Sequence, residues 1–391
     1  MVRSNRKSRR DVSSTGHRPK REKPYVGEAN VSSRSKFKIV DLFAGIGGFH
    51  YGISAAAARL GKGVKTVLVS EIEPSCQETY ERNHKVKVQG DITTVDLVDT
   101  SLGADIVTAG FPCQPFSNSG LKLGLKDPRG QFYFRIEEII KAYAAKSFIL
   151  ENVSGIRKNG GGRYKSQLAV EPQTIGRTMA FLEDQLVKLK DYEVKWIEID
   201  SSRLGSPQVR KRVYIIGLHR DYASDFSLEL SQYCPNTFMS VAEEVRIPDL
   251  ELSESQEANL RSFMKKPPSY HDGMRRVGNA YLCAGGNVGQ GYHSHGMVPT
   301  LTKVWARFLP IYFPHSRENL PSVNEPEFAP NSFYGRGYLR RASVREVMRL
   351  QGFPNSFKPH PNPGVAYEHA GNAVNAKIVR EIAECLLPKI Q

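Results

Sequence analysis

Cys113 is the residue of this chain best placed for covalent chemistry. It follows the apolar run Ala104-Asp105-Ile106-Val107-Thr108-Ala109-Gly110-Phe111 and is held between Pro112 and Pro115, with Gln114 between them and Phe116-Ser117 beyond. An apolar run bounded by Gly and Pro reads as a buried strand, so the thiol falls on the loop at that strand's carboxyl end. Two prolines fix it on a rigid turn, whereas a structural free cysteine packs among apolar neighbours. Glu151 closes a second apolar run, Ser147-Phe148-Ile149-Leu150. A carboxyl in a partly dry pocket has a raised pKa and can donate a proton, although the same residues also read as a surface turn. Arg210 and Arg212, in Gln208-Val209-Arg210-Lys211-Arg212, alternate onto one face at the start of a strand. Such a pair suits a carbonyl or a phosphate, or serves as solvated edge charge.

The elements that must position these groups alternate between strand and helix. Phe37 to Leu42 is an apolar strand running into Phe43-Ala44-Gly45-Ile46-Gly47-Gly48, and an Ala-rich helix spans Phe49 to Leu60. Glycines at such a turn let a ligand approach the backbone. A second strand, Lys65 to Ser70, ends in Glu71-Ile72, where ribose hydroxyls are held in such folds, with Glu73 a competing candidate on the same turn. A third strand, Val86 to Ile92, ends on Asp91, which can accept from an exocyclic amine. Gly-rich, Glu and Asp tips without a P-loop lysine suit an adenosine-containing cofactor. The polar stretch Ser117 to Gly130 reads as a mobile lid beside the nucleophile, before a helix from Gln131 to Ala144. Arg157 to Gln173 reads as a loop insertion, followed by a helix (Thr174 to Leu189) and a strand (Glu193 to Ile199).

Beyond Leu218 the alternation fades, and residues 225–338 are rich in Pro, Gly, Asn, Tyr and His, as expected of an irregular recognition domain. His293 and His295 lack nearby Cys or acidic partners, so no metal is expected. The periodic pattern returns at Ser343 to Pro354, and Ala370-Gly371-Asn372-Ala373-Val374-Asn375 is expected to open an amphipathic helix running to Leu387.

The 391 residues carry a formal net charge of +15, which points to a polyanionic partner. Residues 1–36 read as a basic disordered arm: across residues 1–38 there are twelve Lys/Arg and three Asp/Glu. A phosphate clamp, a localisation signal and a solvated tail are its open readings. Five scattered cysteines and the lack of any apolar run of about 18 residues point to a reducing, cytoplasmic setting, with no membrane and no disulfide scaffold.

Six motifs stand in the order found in DNA (cytosine-5)-methyltransferases. They are Asp41 to Gly48, Gly110 to Ser117, Glu151-Asn152-Val153, Gln208-x-Arg210-x-Arg212, Arg345-Glu346 with Leu350 to Pro354, and Gly371 to Val374. The chain resembles that family from about residue 37 to 387. The resemblance implies an α/β fold: a Rossmann-like S-adenosylmethionine-dependent methyltransferase domain (residues 37–224 plus 339–391) interrupted by a smaller target-recognition domain (225–338). It implies that Cys113 adds to C6 of a cytosine, that Glu151 bonds N3 and the exocyclic amine, and that Arg212 holds O2 with Arg210 in support. For S-adenosyl-L-methionine it implies Phe43, Ala44, Gly45, Ile46, Gly47, Gly48, Glu71, Ile72, Asp91, Ile92, Pro112, Asn372 and Ala373. Ser117, Ser119 and Arg129 match the loop that closes over a flipped base, and Gln290 a residue that fills the vacated space. The last motif departs in one place, carrying His369 where the family usually has Gln. The implied protein is monomeric, acts on double-stranded DNA, and works beside a cognate restriction endonuclease. A relative that methylates tRNA carries a Cys-Phe-Thr element that this chain lacks.

Overall fold

The computed structural model describes residues 35–97, 99–112, 131–224, 226–230, 240–243, 248–255, 281–285, 291–294, 298–303, 305–313 and 338–391. Its centre is a six-stranded sheet. The strands are β1 (Lys36–Leu42), β2 (Gly63–Ser70), β3 (Ile106–Gly110), β4 (Ser147–Val153), β7 (Tyr192–Asp200) and β8 (Lys211–His219), in the spatial order β2-β1-β3-β4-β8-β7. The first four are parallel, and β8 runs antiparallel to both β4 and β7. This is a Rossmann-like α/β fold, as the resemblance implies. Chain order reverses between β1 and β3, and in open α/β sheets the crevice at such a switch point is where ligands bind.

Alternation along the strands explains the layers. Val40 and Leu42 of β1, Val107 and Ala109 of β3, and Phe148 and Leu150 of β4 face one side. That side is covered by α3 (Gln131–Ala142) through Ile136, Ile139 and Ile140, and by α4 (Arg177–Leu186) through Met179, Leu182 and Leu186. Ile39, Ile106, Ile149 and Tyr214 face the other side. There α1 (Gly48–Arg59) and α7 (Ala376–Leu386) lie together, joining the two ends of the described chain. Their close approach depends on Gly52, where a Cβ would stand 2.5 Å from Val379 Cβ.

Three expectations change. Val86 to Ile92 forms no strand: a single parallel bridge, Ser70 to Gln89, flanks β2, with Val88 turned inward against Ala44, Val69 and Tyr80 and Ile92 buried in a different cluster. The stretch from Ala370 closes α6 (Pro363–Asn372) instead of opening a helix, and the last helix starts separately, capped by the Asn375 side chain on the N–H groups of Lys377 and Ile378. Thr174–Ile175 is β6, paired with β5 (Tyr164–Lys165) in a two-stranded ribbon, so α4 begins only at Arg177. A separate four-stranded sheet has the order β10-β9-β11-β12, built from β9 (Tyr281–Gly285), β10 (Gly291–Ser294), β11 (Pro310–Phe313) and β12 (Tyr338–Arg341). The expected division between residues 338 and 339 falls inside β12.

Candidate active site

The carboxyl ends of β1, β2 and β3 form one corner of the site. Gly47 has φ +90°, and a Cβ there would meet His84 Nε2 at 2.4 Å, so only glycine fits this turn. Phe43 also holds a left-handed conformation, φ +51°, which is strained for an aromatic residue and belongs with tightly determined functional turns. Its ring meets Phe132 edge-on, with centroids 5.4 Å apart. Glu71 ties this loop to the second strand. Its Oε2 accepts from the Gly45 N–H at 2.7 Å and its Oε1 from the Glu73 N–H at 2.9 Å. Each oxygen keeps a second lone pair for a hydroxyl donor. Glu73 instead sits at the N-cap of α2 (Pro74–His84), which makes Glu71 the better of the two candidates.

Around that corner the expected residues separate by exposure. Ile72 presents 66% of its surface to solvent, an unusual exposure for isoleucine and a ready apolar face for a ring. Asp91 Oδ1 accepts from the Thr93 N–H and hydroxyl, both at 2.9 Å. Ile92, Ala44 and Ile46 are buried in hydrophobic clusters. Pro112 is exposed at the end of β3. Gly48 lies against the Val374 backbone, leaving no room for a Cβ. An adenosine-bearing group fits this corner on its donor set: an acidic acceptor between two strand tips, an exposed apolar side chain and a glycine cradle.

The second corner is the β3–β4–β8 edge. Glu151 lies opposite Gly110 on β3 and Tyr214 on β8. Its Oε1 meets Arg212 Nε at 3.1 Å, the two side chains being only 11% and 13% exposed. Burial pushes the Glu151 carboxyl up, while Arg212 and then Arg210 pull it back. Neighbouring Asn152, fully enclosed, donates from Nδ2 to the Phe111 carbonyl at 2.9 Å. That bond ties Phe111, two residues before Cys113 in the sequence, to β4. The sequence set Asn152 in the Glu151-Asn152-Val153 motif but gave it no role of its own.

Arg210 stays close enough to Glu151 and Arg212 to act electrostatically on both. It is buried ahead of β8, and Nη1 and Nη2 donate to the carbonyls of Leu301 (2.9 Å), Gly371 (3.3 Å) and Ala373 (2.9 Å). A guanidinium there satisfies the open carbonyls at the end of α6 and complements its dipole. Burial lowers its pKa to about 10, so it stays charged at neutral pH. Arg210 thereby ties Gly371 and Ala373 to the arginine strand. His369 occupies the usual glutamine place and bridges to Ser75 Oγ at 2.8 Å, joining α6 to α2. Burial lowers its pKa to about 4, so it bonds as neutral imidazole.

Sequence reading also missed Asp41. It is fully buried in β1, receives the Thr108 hydroxyl at 2.8 Å and the Tyr80 hydroxyl at 3.3 Å, and burial raises its pKa to about 7. An acid inside the apolar run Ile39-Val40-Asp41-Leu42 was the available signal. Cys113, Ser117, Ser119, Arg129 and Gln290 lie outside the described residues.

The family profile of the C-5 cytosine-specific DNA methylases matches residues 37–387. The chain belongs to that family. It is 27% identical to the type II methyltransferase M.BanI of Aneurinibacillus aneurinilyticus, over 90% of this chain and 96% of that one. It is 32% identical to M.NlaX of Neisseria lactamica, over 89% and 95%. Among solved structures it resembles a methyltransferase of Entamoeba histolytica, with a TM-score of 0.62 at 16% identity, covering 92% of this chain and 100% of that one. A DNMT2 mutant of Spodoptera frugiperda gives 0.61 at 19% identity, covering 90% and 100%. These last two likenesses concern the fold. The chain is thus a DNA cytosine-5 methyltransferase, and among its described residues no helix is long and apolar enough to cross a membrane.

Proposed function

We propose that this methyltransferase acts on a cytosine flipped out of double-stranded DNA within a short specific sequence, through a covalent bond between Cys113 and C6. The observation that carries the reading is the Glu151–Arg212 pair at the strand edge to which Asn152 ties Phe111, two residues before Cys113 in the sequence. C5 of cytosine is a poor nucleophile. Addition of the Cys113 thiolate forms an S–C6 bond and moves the C5–C6 π electrons onto C5. Glu151, its carboxyl raised by burial, donates to N3 and accepts from the exocyclic amine, and Arg212 holds O2. S-adenosylmethionine, when bound, supplies the methyl group to C5. Loss of the C5 proton to a base then restores the double bond as the S–C6 bond breaks.

Gly45, Gly47, Glu71, Ile72, Asp91 and Pro112 would hold that cofactor, with Phe43 beside its adenine and Asn372 and Ala373 closing the site. Base flipping exposes C6, which a stacked duplex hides. Ser117, Ser119 and Arg129 would close over the flipped base, with Gln290 filling its place in the stack. Residues 225–338 would read the sequence. The type II names of its relatives support a restriction-modification setting, with a cognate endonuclease as companion.

Tritium transfer from labelled S-adenosylmethionine to duplex DNA tests the reading. Cys113→Ala is expected to fall to background with DNA binding kept; transfer at the wild-type rate would overturn the covalent step.

A further inference from the structure

Residues 157–177 follow the Glu151 strand directly and carry Arg157, Lys158, Arg163, Lys165 and Arg177 against a single acid, Glu171. The segment is built onto the catalytic edge of the sheet. After Val153 the chain makes a 3₁₀ turn, Ser154–Arg157, whose Ile156 is buried. Ser154 donates to Glu198 of β7, and Arg157 bonds both Glu198 (3.0 Å) and Gln173 (2.6 Å). Behind the β5–β6 ribbon, buried Glu183 of α4 accepts from Ser166 Oγ, from the Gln167 N–H at 2.9 Å and from Trp196 Nε1 at 2.6 Å. Leu168 and Val170 exchange backbone bonds with Trp196 at 2.9 and 3.0 Å.

Against this anchoring, the basic side chains beyond Arg157 are free. Arg163, Lys165 and Arg177 are exposed and form no ion pair with any described residue. Gly160, Gly161 and Gly162 all have positive φ, turning the chain sharply just before Arg163. A Cβ on Gly162 would strike the Tyr164 ring at 2.6 Å, so that ring lies over the turn and braces it. A solvated loop gains nothing from a buried carboxylate and two arginine bonds at its base. A ridge that must meet a fixed array of charges does.

We infer that the β5–β6 ribbon is a backbone-phosphate contact for the duplex flanking the target cytosine, with Arg163 and Lys165 on the phosphates. The inference rests on duplex DNA being the substrate. Phosphate contacts carry no sequence information, so the ribbon raises affinity for all duplexes alike and leaves target choice to other segments. Arg163→Gln/Lys165→Gln in the full chain tests it, with duplex binding measured across a salt series. Each phosphate contact contributes a slope of about −0.9 in log K against log salt, so the double variant should be flatter by about 2. KM for DNA should rise while kcat stays within twofold, and the charge-keeping Arg163→Lys/Lys165→Arg should restore both slope and KM. An unchanged slope, or a loss confined to kcat, overturns the ribbon's role. A wild type that methylates RNA and not duplex DNA removes the substrate reading itself, and the inference with it.

Discussion

Two arginine–glutamate pairs in this molecule differ in how fully they are used. Arg340 of β12 and Glu346 of α5 (Val344–Leu350) are both sealed from solvent and joined by two parallel bonds of 2.8 Å. Glu346 also accepts the N–H groups of Ser343 and Glu243, each at 2.7 Å, which closes a capping box at the start of α5. That carboxylate has no capacity to spare. Glu151 and Arg212 share one contact of 3.1 Å, and neither Glu151 Oε2 nor Arg212 Nη2 has a partner among the described residues. A saturated pair fixes structure. A half-used pair, nearly as dry, keeps donors and acceptors for something else to complete.

Breaking the saturated pair should produce the largest change in stability. Glu346→Ala leaves a buried guanidinium unpaired, and we expect a loss of about 3–5 kcal/mol, read as a lower urea midpoint. Glu151→Gln should do the opposite: stability within about 1 kcal/mol of wild type, with kcat lowered about 10²–10⁴-fold. Equal losses of stability in the two variants would erase the contrast.

Asp41 is a third buried acid, with hydroxyl partners instead of an arginine. Its folded pKa of about 7 lies above the ordinary Asp value of about 3.9. Between those values the folded state binds more protons than the unfolded one. Its stability contribution is therefore complete below about pH 4 and is lost as pH rises through about 7, by at most about 4 kcal/mol. Asp41→Asn should flatten that fall, and an identical pH profile in the variant would show that Asp41 does not carry it. The smallest effect is expected from Arg212→Lys. It keeps the charge but loses the planar fork, so kcat/KM should fall roughly tenfold with the urea midpoint unchanged.

Much of the site was legible because its geometry is local. Apolar runs ending in Gly, Glu and Pro located the tips of β1, β2 and β3, and Glu151 came at the end of β4 where its apolar run stops. Short-range signals failed where a distant segment decided the outcome. Val86 to Ile92 alternates like a strand, yet beside β2 it makes one bridge, since Val88 and Ile92 are drawn into two different hydrophobic clusters. Arg210 and Arg212 have the spacing of one face, but nothing local announces that Arg210 is bonded to the Gly371 and Ala373 carbonyls at the end of α6 and to the Leu301 carbonyl.

The order of motifs and the chemical types at each strand tip belong to the sequence alone, because strand ends and tight turns are set by neighbours a few residues apart. The division of labour among the charged groups belongs to the tertiary structure. Whether an arginine meets a carboxylate at a strand edge or the carbonyls of a helix some 160 residues away depends on which buried polar groups lack partners, and only the assembled fold brings those groups together.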